Sequence, residues 1–294
     1  MSTSQIVSEL PRKKVRIDVE KPAELLAWQG VHTVCEESRC PNRNECSKAG
    51  IATFLIGGRV CTRACKFCHI ATGKGLPLAE ITPAEKADIL SYVENKDLSY
   101  VVITAVARDD DEAGLAHHFA DLTVELNAKN VEVELLIPDF HARPEILSIV
   151  GKARPLVIAQ NMETVERLSP KVRPQAGYKR TLQVFDYFKN AYPEIILKSG
   201  FMVGLGESRE ELVQLLTDLK SHGVEIITAG QYLQPSQNQL PVSKIYSQTD
   251  FQELENLIEQ MDFSGWEVGH YVRSSYMASR TMQQVKNRKL KSIS

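Results

Sequence analysis

All six cysteines lie between residues 35 and 68, in two groups of three: Cys35, Cys40 and Cys46, then Cys61, Cys65 and Cys68. Cysteines grouped this closely are metal ligands or disulfide partners rather than isolated packing side chains. Disulfide frameworks serve small secreted chains that cannot build a core. This chain has 294 residues and 43% hydrophobic content, enough to bury a core unaided. Met1 to Leu10 is polar, and Pro11-Arg12-Lys13-Lys14 follows with no apolar stretch, so no secretory signal is expected. No apolar run is long enough to cross a bilayer. The expectation is a cytoplasmic protein in a reducing compartment, with its cysteines bound to metal as thiolates.

A closed zinc site takes four tetrahedral ligands, often from paired C-x2-C knuckles. Each group here supplies three cysteines with unequal gaps, and the second group holds a single C-x2-C. His69 directly follows Cys68, and adjacent side chains rarely reach one tetrahedral ion. A cubane cluster of four irons is held mainly by thiolates. Three thiolates leave one iron open to a substrate, a cofactor or a non-cysteine side chain. Two groups therefore predict two 4Fe–4S clusters, each with one non-cysteine site.

The elements that must position these ligands alternate between strands and helices. Strands are expected at 52–56, 100–104, 131–137, 156–159, 195–203 and 224–228. A helix should open at Thr82-Pro83, with Thr as cap and Pro in the first turn. Others should cover 112–128, a segment from Pro144, 163–190 (broken at Pro170 and Pro174), 207–221 and 251–261. Six βα units predict a parallel sheet covered by helices. Being fewer than eight, they predict an α/β fold of the partial TIM-like (βα)6 kind, spanning 52–261, with its chemistry on loops at the C-terminal strand ends. Residues 1–51 form an N-terminal extension carrying the first cysteine group, and 262–294 a C-terminal extension. A doubly wound sheet is the alternative. No Gly-x-Gly-x-x-Gly follows the first strand, and Gly204-x-Gly206 lacks the third glycine.

Thirty-five Lys and Arg against 37 Asp and Glu give a net charge of −2, which argues against nucleic-acid binding. Basic clusters remain at Arg12, Lys13, Lys14 and Arg16 and at Lys286, Arg288, Lys289 and Lys291. They read as solvated tails or as docking points for an acidic partner.

Cys61-x3-Cys65-x2-Cys68, with Phe67 before the last cysteine, resembles the motif of the radical S-adenosylmethionine (SAM) superfamily. Further stretches resemble the lipoyl synthase family within it: Glu36-Glu37-Ser38-Arg39-Cys40-Pro41-Asn42, Arg108-Asp109-Asp110, Leu136-Ile137-Pro138-Asp139-Phe140, Asn161-Met162-Glu163-Thr164-Val165, Lys198-Ser199-Gly200, Gly204-Leu205-Gly206-Glu207, Gly230-Gln231-Tyr232 and Val272-Arg273-Ser274-Ser275-Tyr276. The resemblance implies insertion of two sulfurs at carbons 6 and 8 of an octanoyl chain held on a lysine of a carrier protein. It implies that Cys61, Cys65 and Cys68 hold a radical-generating cluster whose open iron chelates SAM. Cys35, Cys40 and Cys46 would hold an auxiliary cluster that supplies the sulfurs, with Ser275 as its fourth ligand and Ser274 as the alternative. Partners would be octanoylated lipoyl carrier domains of 2-oxoacid dehydrogenases or the glycine cleavage H protein. A reduced ferredoxin- or flavodoxin-type donor would supply electrons, with no nucleic acid or membrane involved.

Candidate cofactor contacts follow from position past the strands. Arg108 and Asp109 are placed to hold the methionyl part of SAM, or to pair with each other. Asn161 and Lys198 have similar claims against a plain surface role. Gly204 opens a helix whose amides suit a polar cofactor edge, unless its glycines only make a tight turn. Gln231 and Tyr232 follow the sixth strand and are candidates to line the adenosine or substrate end. The chain departs from the family pattern at Ala107, His69-Ile70, Gln160 and Ser47. A diverged sulfur-inserting or methylthio-transferring radical enzyme, a non-catalytic iron–sulfur electron carrier and a zinc-structured binding module are the alternative functions.

Overall fold

The computed structural model describes Asn42 and residues 52–291. Cys35, Cys40, Cys46 and the N-terminal basic cluster lie outside the described residues. Seven strands form one all-parallel sheet in sequence order: β1 (Ala52–Ile56), β2 (Tyr100–Ala105), β3 (Glu132–Leu136), β4 (Val157–Ala159), β5 (Ile196–Val203), β6 (Val224–Gln231) and β7 (Gly265–Gly269). Helices α1 (Leu78–Asn95), α2 (Glu112–Ala128), α3 (Pro144–Lys152), α4 (Tyr178–Ala191), α5 (Arg209–Ser221) and α6 (Gln248–Gln260) connect successive strands, and α7 (Ala278–Lys291) ends the array. Because β1 and β7 are the edges of the sheet, the barrel is partial and open. The C-terminal extension thus adds a seventh strand and a helix to the six expected βα units.

The strands are buried on both faces, so they read as apolar runs rather than alternating ones. Alternate residues nevertheless go to different partners. Phe54, Ile56, Val101, Ile103, Val133 and Leu135 pack under the outer helices. Tyr100, Val102, Val157, Ile196 and Ile226 pack instead on Ala278, Met282 and Val285. Those three, at i, i+4 and i+7, form one stripe of α7, so this helix plugs the inner side near the N-terminal strand ends. Lys286 Nζ donates to Glu132 and Arg288 Nη1 to the Phe263 carbonyl, with the Arg288 guanidinium 4.4 Å over Trp266. These two charges of the C-terminal basic cluster are pinned to the barrel, in place of the solvated tail that the sequence suggested.

Three of the connecting helices, α2, α5 and α6, start with side-chain caps. Asp111 accepts from Gly114 N at α2, and Ser208 with Glu211, then Ser247 with Asp250, form capping boxes at α5 and α6. One boundary corrects the sequence reading. α1 begins at Leu78 after Pro77, which leaves Pro83 inside the helix. Leu78 is buried against the core, and that burial draws the helix upstream of Thr82. Pro83 lies in the second turn, where its missing N–H forfeits a single helical bond.

Candidate metal and cofactor site

The site hangs from the end of β1. Gly57 and Gly58 turn the chain with φ of +80° and +85°, a region that glycine enters freely. Both amides donate to the Glu85 carboxylate of α1, at 3.0 and 2.9 Å, and Glu85 also pairs with His118 at 3.0 Å. Beyond the turn, Val60–Cys61 pairs with Ala71–Thr72, which ties together the two ends of the cysteine loop. Loops from around the barrel hold what lies between. Thr62 N donates to the Ala107 carbonyl, Lys66 N to Val172, Leu240 N to Lys66, and Gln239 Nε2 to the Cys68 carbonyl. Phe67 packs with Val172, Leu205 and Tyr232. Cys61, Cys65 and Cys68 are thereby fixed at the C-terminal mouth of the barrel.

Beneath them is a cavity of about 200 Å³, bordered by Cys61, Cys65, Arg63, Gln160, Asn161 and Glu163, with Leu136, Ile137 and Pro138 as an apolar wall. Arg63 is buried. Its Nε and Nη2 hold Asp109 at 2.9 and 2.7 Å, and Nη2 also reaches Asp139 at 2.7 Å. Burial works against the Asp139 carboxylate, but Arg63 holds it below its ordinary value. Asp139 reaches that place through a left-handed turn, Phe140, His141 and Ala142, with φ of 42°, 50° and 53°. Three non-glycine residues there cost roughly 1–2 kcal/mol each. Glu163 accepts from Asn161 Nδ2 at 2.9 Å. Burial pushes its carboxyl upward, against the Asn161 bond and the charges of Arg173 and Arg273.

The donor set fits a cationic cluster. Burial first, and then the charges of Glu163, Cys68 and Cys61, push the Cys65 thiol up to about 12. Burial also raises Cys68. Three thiols crowded at one mouth ionise together only around a positive centre. Among the described residues, Gln160 Oε1 and Arg173 Nε are buried without a hydrogen-bond partner, and both residues border the cavity. Such groups point to a ligand that completes them.

The sequence candidates separate clearly. Asn161 lies at the cavity. Arg108 does not: its guanidinium is spent on Asp110 at 2.9 and 2.8 Å, on the Gly57 carbonyl and on the Leu76 carbonyl. Arg108 and Asp109 do not pair with each other, because Asp109 orients Arg63. Lys198 is turned into the barrel, 2.7 Å from Glu134. The Gly204 and Leu205 amides are taken by Glu207 at 2.6 and 2.9 Å, so they are closed to an outside anion. Gln231 Nε2 donates to the Val203, Tyr232 and Lys244 carbonyls, and its Oε1 accepts from Tyr246 N. Tyr232 donates to the Leu240 carbonyl and backs Phe67. These side chains build the frame rather than the cavity surface. Ser274 Oγ donates to Asn161 Oδ1 at 2.9 Å, which brings the Ser274-Ser275 pair beside the site.

Arg63, Asp139, Glu163 and Arg173 were not among the candidate contacts, although Asp139, Glu163 and Arg173 lie in stretches that carry the family resemblance. Glu163 and Asp139 sit just past β4 and β3, where the rule that selected Asn161 would have found them. Arg63 lies inside the cysteine motif itself.

Residues 55–219 match the Radical SAM superfamily. The chain is 42% identical over 273 residues to a lipoyl synthase of Glaesserella parasuis, covering 92% of this chain and 84% of that protein. It is 41% identical over 280 residues to a lipoyl synthase of Vibrio campbellii, covering 94% and 86%. A third, from Serratia proteamaculans, is 43% identical over 273 residues, covering 92% and 84%. Among solved structures, SAM-bound SuiB of Streptococcus suis superposes with a TM-score of 0.56 at 13% identity, over 74% of this chain and 50% of that one. Methylornithine synthase gives 0.54 at 13% identity, over 88% and 77%. At that identity the structural likeness speaks for the fold alone.

Proposed function

The chain belongs to the lipoyl synthase family of the radical SAM superfamily, and from that membership we propose that Cys61, Cys65 and Cys68 hold a SAM-binding 4Fe–4S cluster used to insert sulfur at carbons 6 and 8 of a protein-bound octanoyl-lysine. Held by Cys61, Cys65 and Cys68, the cluster would supply one-electron chemistry with SAM, which reaches carbons too inert for acid–base catalysis. The protein's own part is placement. Glu85 and Arg108 fix the turn from which the cysteines hang. Arg63, held by Asp109 and Asp139, carries a positive charge at the cavity edge. Gln160 Oε1 offers a buried acceptor, and Leu136, Ile137 and Pro138 give an alkyl chain an apolar wall and exclude water.

In the same reading, Cys35, Cys40 and Cys46 hold a second 4Fe–4S cluster, the sulfur source, and Ser275 is its fourth ligand. One observation carries this part. Asn42, between Cys40 and Cys46 in the chain, donates to the Tyr271 carbonyl four residues before Ser275. That contact supports the reading in which the two motifs share one cluster. Ser274 is the weaker choice because its hydroxyl is already given to Asn161. An alkoxide is a harder and less usual iron ligand than a thiolate, a reasonable link for a cluster meant to be dismantled.

The proposed partners are octanoylated carrier domains of 2-oxoacid dehydrogenases or the glycine cleavage H protein, with a ferredoxin- or flavodoxin-type reductant, in the cytoplasm. No helix among the described residues is long and apolar enough to cross a membrane. The test is an anaerobic assay with SAM, a low-potential reductant and an octanoyl-lysine peptide, read by mass. Gain of two sulfurs supports the reading. 5′-Deoxyadenosine without sulfur gain points to a diverged radical enzyme, and neither product points to an electron carrier.

A further inference from the structure

We propose that Ser274 is a positioning residue for sulfur insertion: its hydroxyl latches the Arg273–Tyr276 turn to the wall of the cysteine cavity, so that Ser275 is presented in one orientation. The inference rests on the reading of Ser275 as a cluster ligand and assigns its neighbour a separate task.

The barrel wall is cut away to admit this turn. Gly200 of β5 faces Thr228 of β6 in register. A methyl at Gly200 would stand 2.7 Å from Thr228 Oγ1, 2.8 Å from Asn161 Oδ1 and 3.1 Å from Ser274 Oγ. A methyl at Gly230 would stand 2.1 Å from the Val272 carbonyl oxygen. Neither glycine has a positive φ, so both are required for space rather than for backbone freedom. The two open a slot in β5 and β6 into which Val272–Ser274 fits.

Within the slot, the fastening is specific. Ser274 Oγ donates to Asn161 Oδ1 at 2.9 Å, Asn161 Nδ2 donates to Glu163 at 2.9 Å, and Arg173 Nη1 donates to the Asn161 carbonyl at 2.8 Å. Asn161, Glu163 and Arg173 all border the cavity beneath the cysteines. The turn closes on itself where Tyr276 N donates to the Arg273 carbonyl at 2.9 Å. From the other side, Asn42 holds the Tyr271 carbonyl. The segment before Ser275 is therefore tied both to the cavity wall and to Asn42. A hydroxyl whose single role was to satisfy local backbone would not reach a residue 113 positions away.

The test compares the wild type with Ser274→Ala, Ser275→Ala and Gly200→Ala, each reconstituted anaerobically. Amide hydrogen exchange over residues 270–277 is measured without substrate, alongside kcat and the KM for SAM. Ser274→Ala should raise exchange in the turn about tenfold, the worth of one buried hydrogen bond. It should lower kcat for sulfur insertion by at least about tenfold with the KM for SAM unchanged, since a loosened ligand costs turnover rather than cofactor binding. Gly200→Ala should reproduce both effects with both serines in place, and Ser275→Ala should abolish turnover without raising exchange. Unchanged exchange or unchanged kcat in Ser274→Ala overturns the latch. Full turnover in Ser275→Ala overturns the ligand reading instead, whatever the exchange shows.

Discussion

Replacing Lys198 with Met should destabilise the fold while sparing SAM binding. Lys198 is the third residue of β5, and its Nζ lies 2.7 Å from Glu134 Oε1, with both side chains 2% exposed. The other Glu134 oxygen accepts from the Tyr100 hydroxyl at 2.7 Å. Tyr100 also packs against α7, and none of the three borders the cavity. Removing the ammonium strands the Glu134 carboxylate in the interior, which costs about 3–5 kcal/mol. For 294 residues, at about 2.1 cal/mol/K each, that corresponds to a fall of roughly 5–8 °C in Tm. Replacing the trio together, as Lys198→Met with Glu134→Leu and Tyr100→Phe, leaves no buried charge and should recover most of the loss. The assay is thermal unfolding of the three proteins under identical anaerobic conditions, alongside the KM for SAM. A raised KM with an unchanged Tm would show that Lys198 touches the cofactor, and the reasoning would fail.

Cys65→Ala should lower bound iron to about half and abolish 5′-deoxyadenosine formation, measured by iron assay and chromatography; an unchanged iron count contradicts the ligand assignment. Gly204 has φ +95°, and a methyl there would meet Gln231 Nε2 at 2.3 Å and the Lys244 carbonyl at 2.4 Å. Gly204→Ala should therefore cost well over the ~1 kcal/mol of the backbone conformation alone, read from the urea midpoint. Asp250 is lowered to about 2 from 3.8, first by Lys244 Nζ and then by the Ser247 N–H and hydroxyl. A carboxylate depressed in the folded state stabilises above pH about 4, and that contribution fades as pH falls through about 2. Asp250→Asn should flatten the acid limb of the stability profile in this window, and an unaltered limb refutes the assignment.

The barrel was legible because its strands are short apolar runs separated by capped helices, a pattern that local chemistry writes directly into the chain. Helix 112–128 has the bounds expected of it, and in the structure Asp111 caps it by accepting from Gly114 N. The seventh strand was not legible. Gly265–Gly269 is a five-residue segment with a glycine at either end, and what makes it a strand is its pairing with β6. The start of α1 was misplaced because Thr82-Pro83 is a good local signal that the tertiary burial of Leu78 overrides.

For the site, the cysteine spacing suggested a cluster chemistry without any coordinates. Contacts inferred from position after a strand fared unevenly. Asn161 reaches the cavity, whereas Arg108 and Lys198 have the right position but the wrong direction. Each is aimed by a carboxylate, Asp110 and Glu134, that sequence spacing gave no reason to pair with it. The Lys198–Glu134 pair forms across strands and the Arg108–Asp110 pair within one loop, and neither side chain borders the cavity.

The most direct measurement is the mass of an octanoyl-lysine peptide after a single anaerobic turnover of reconstituted protein, paired with iron and sulfide content before and after. The account predicts about eight irons per chain beforehand, a peptide bearing two added sulfurs, and a matching loss of protein sulfide. About four irons, with 5′-deoxyadenosine formed and no sulfur in the peptide, would contradict it.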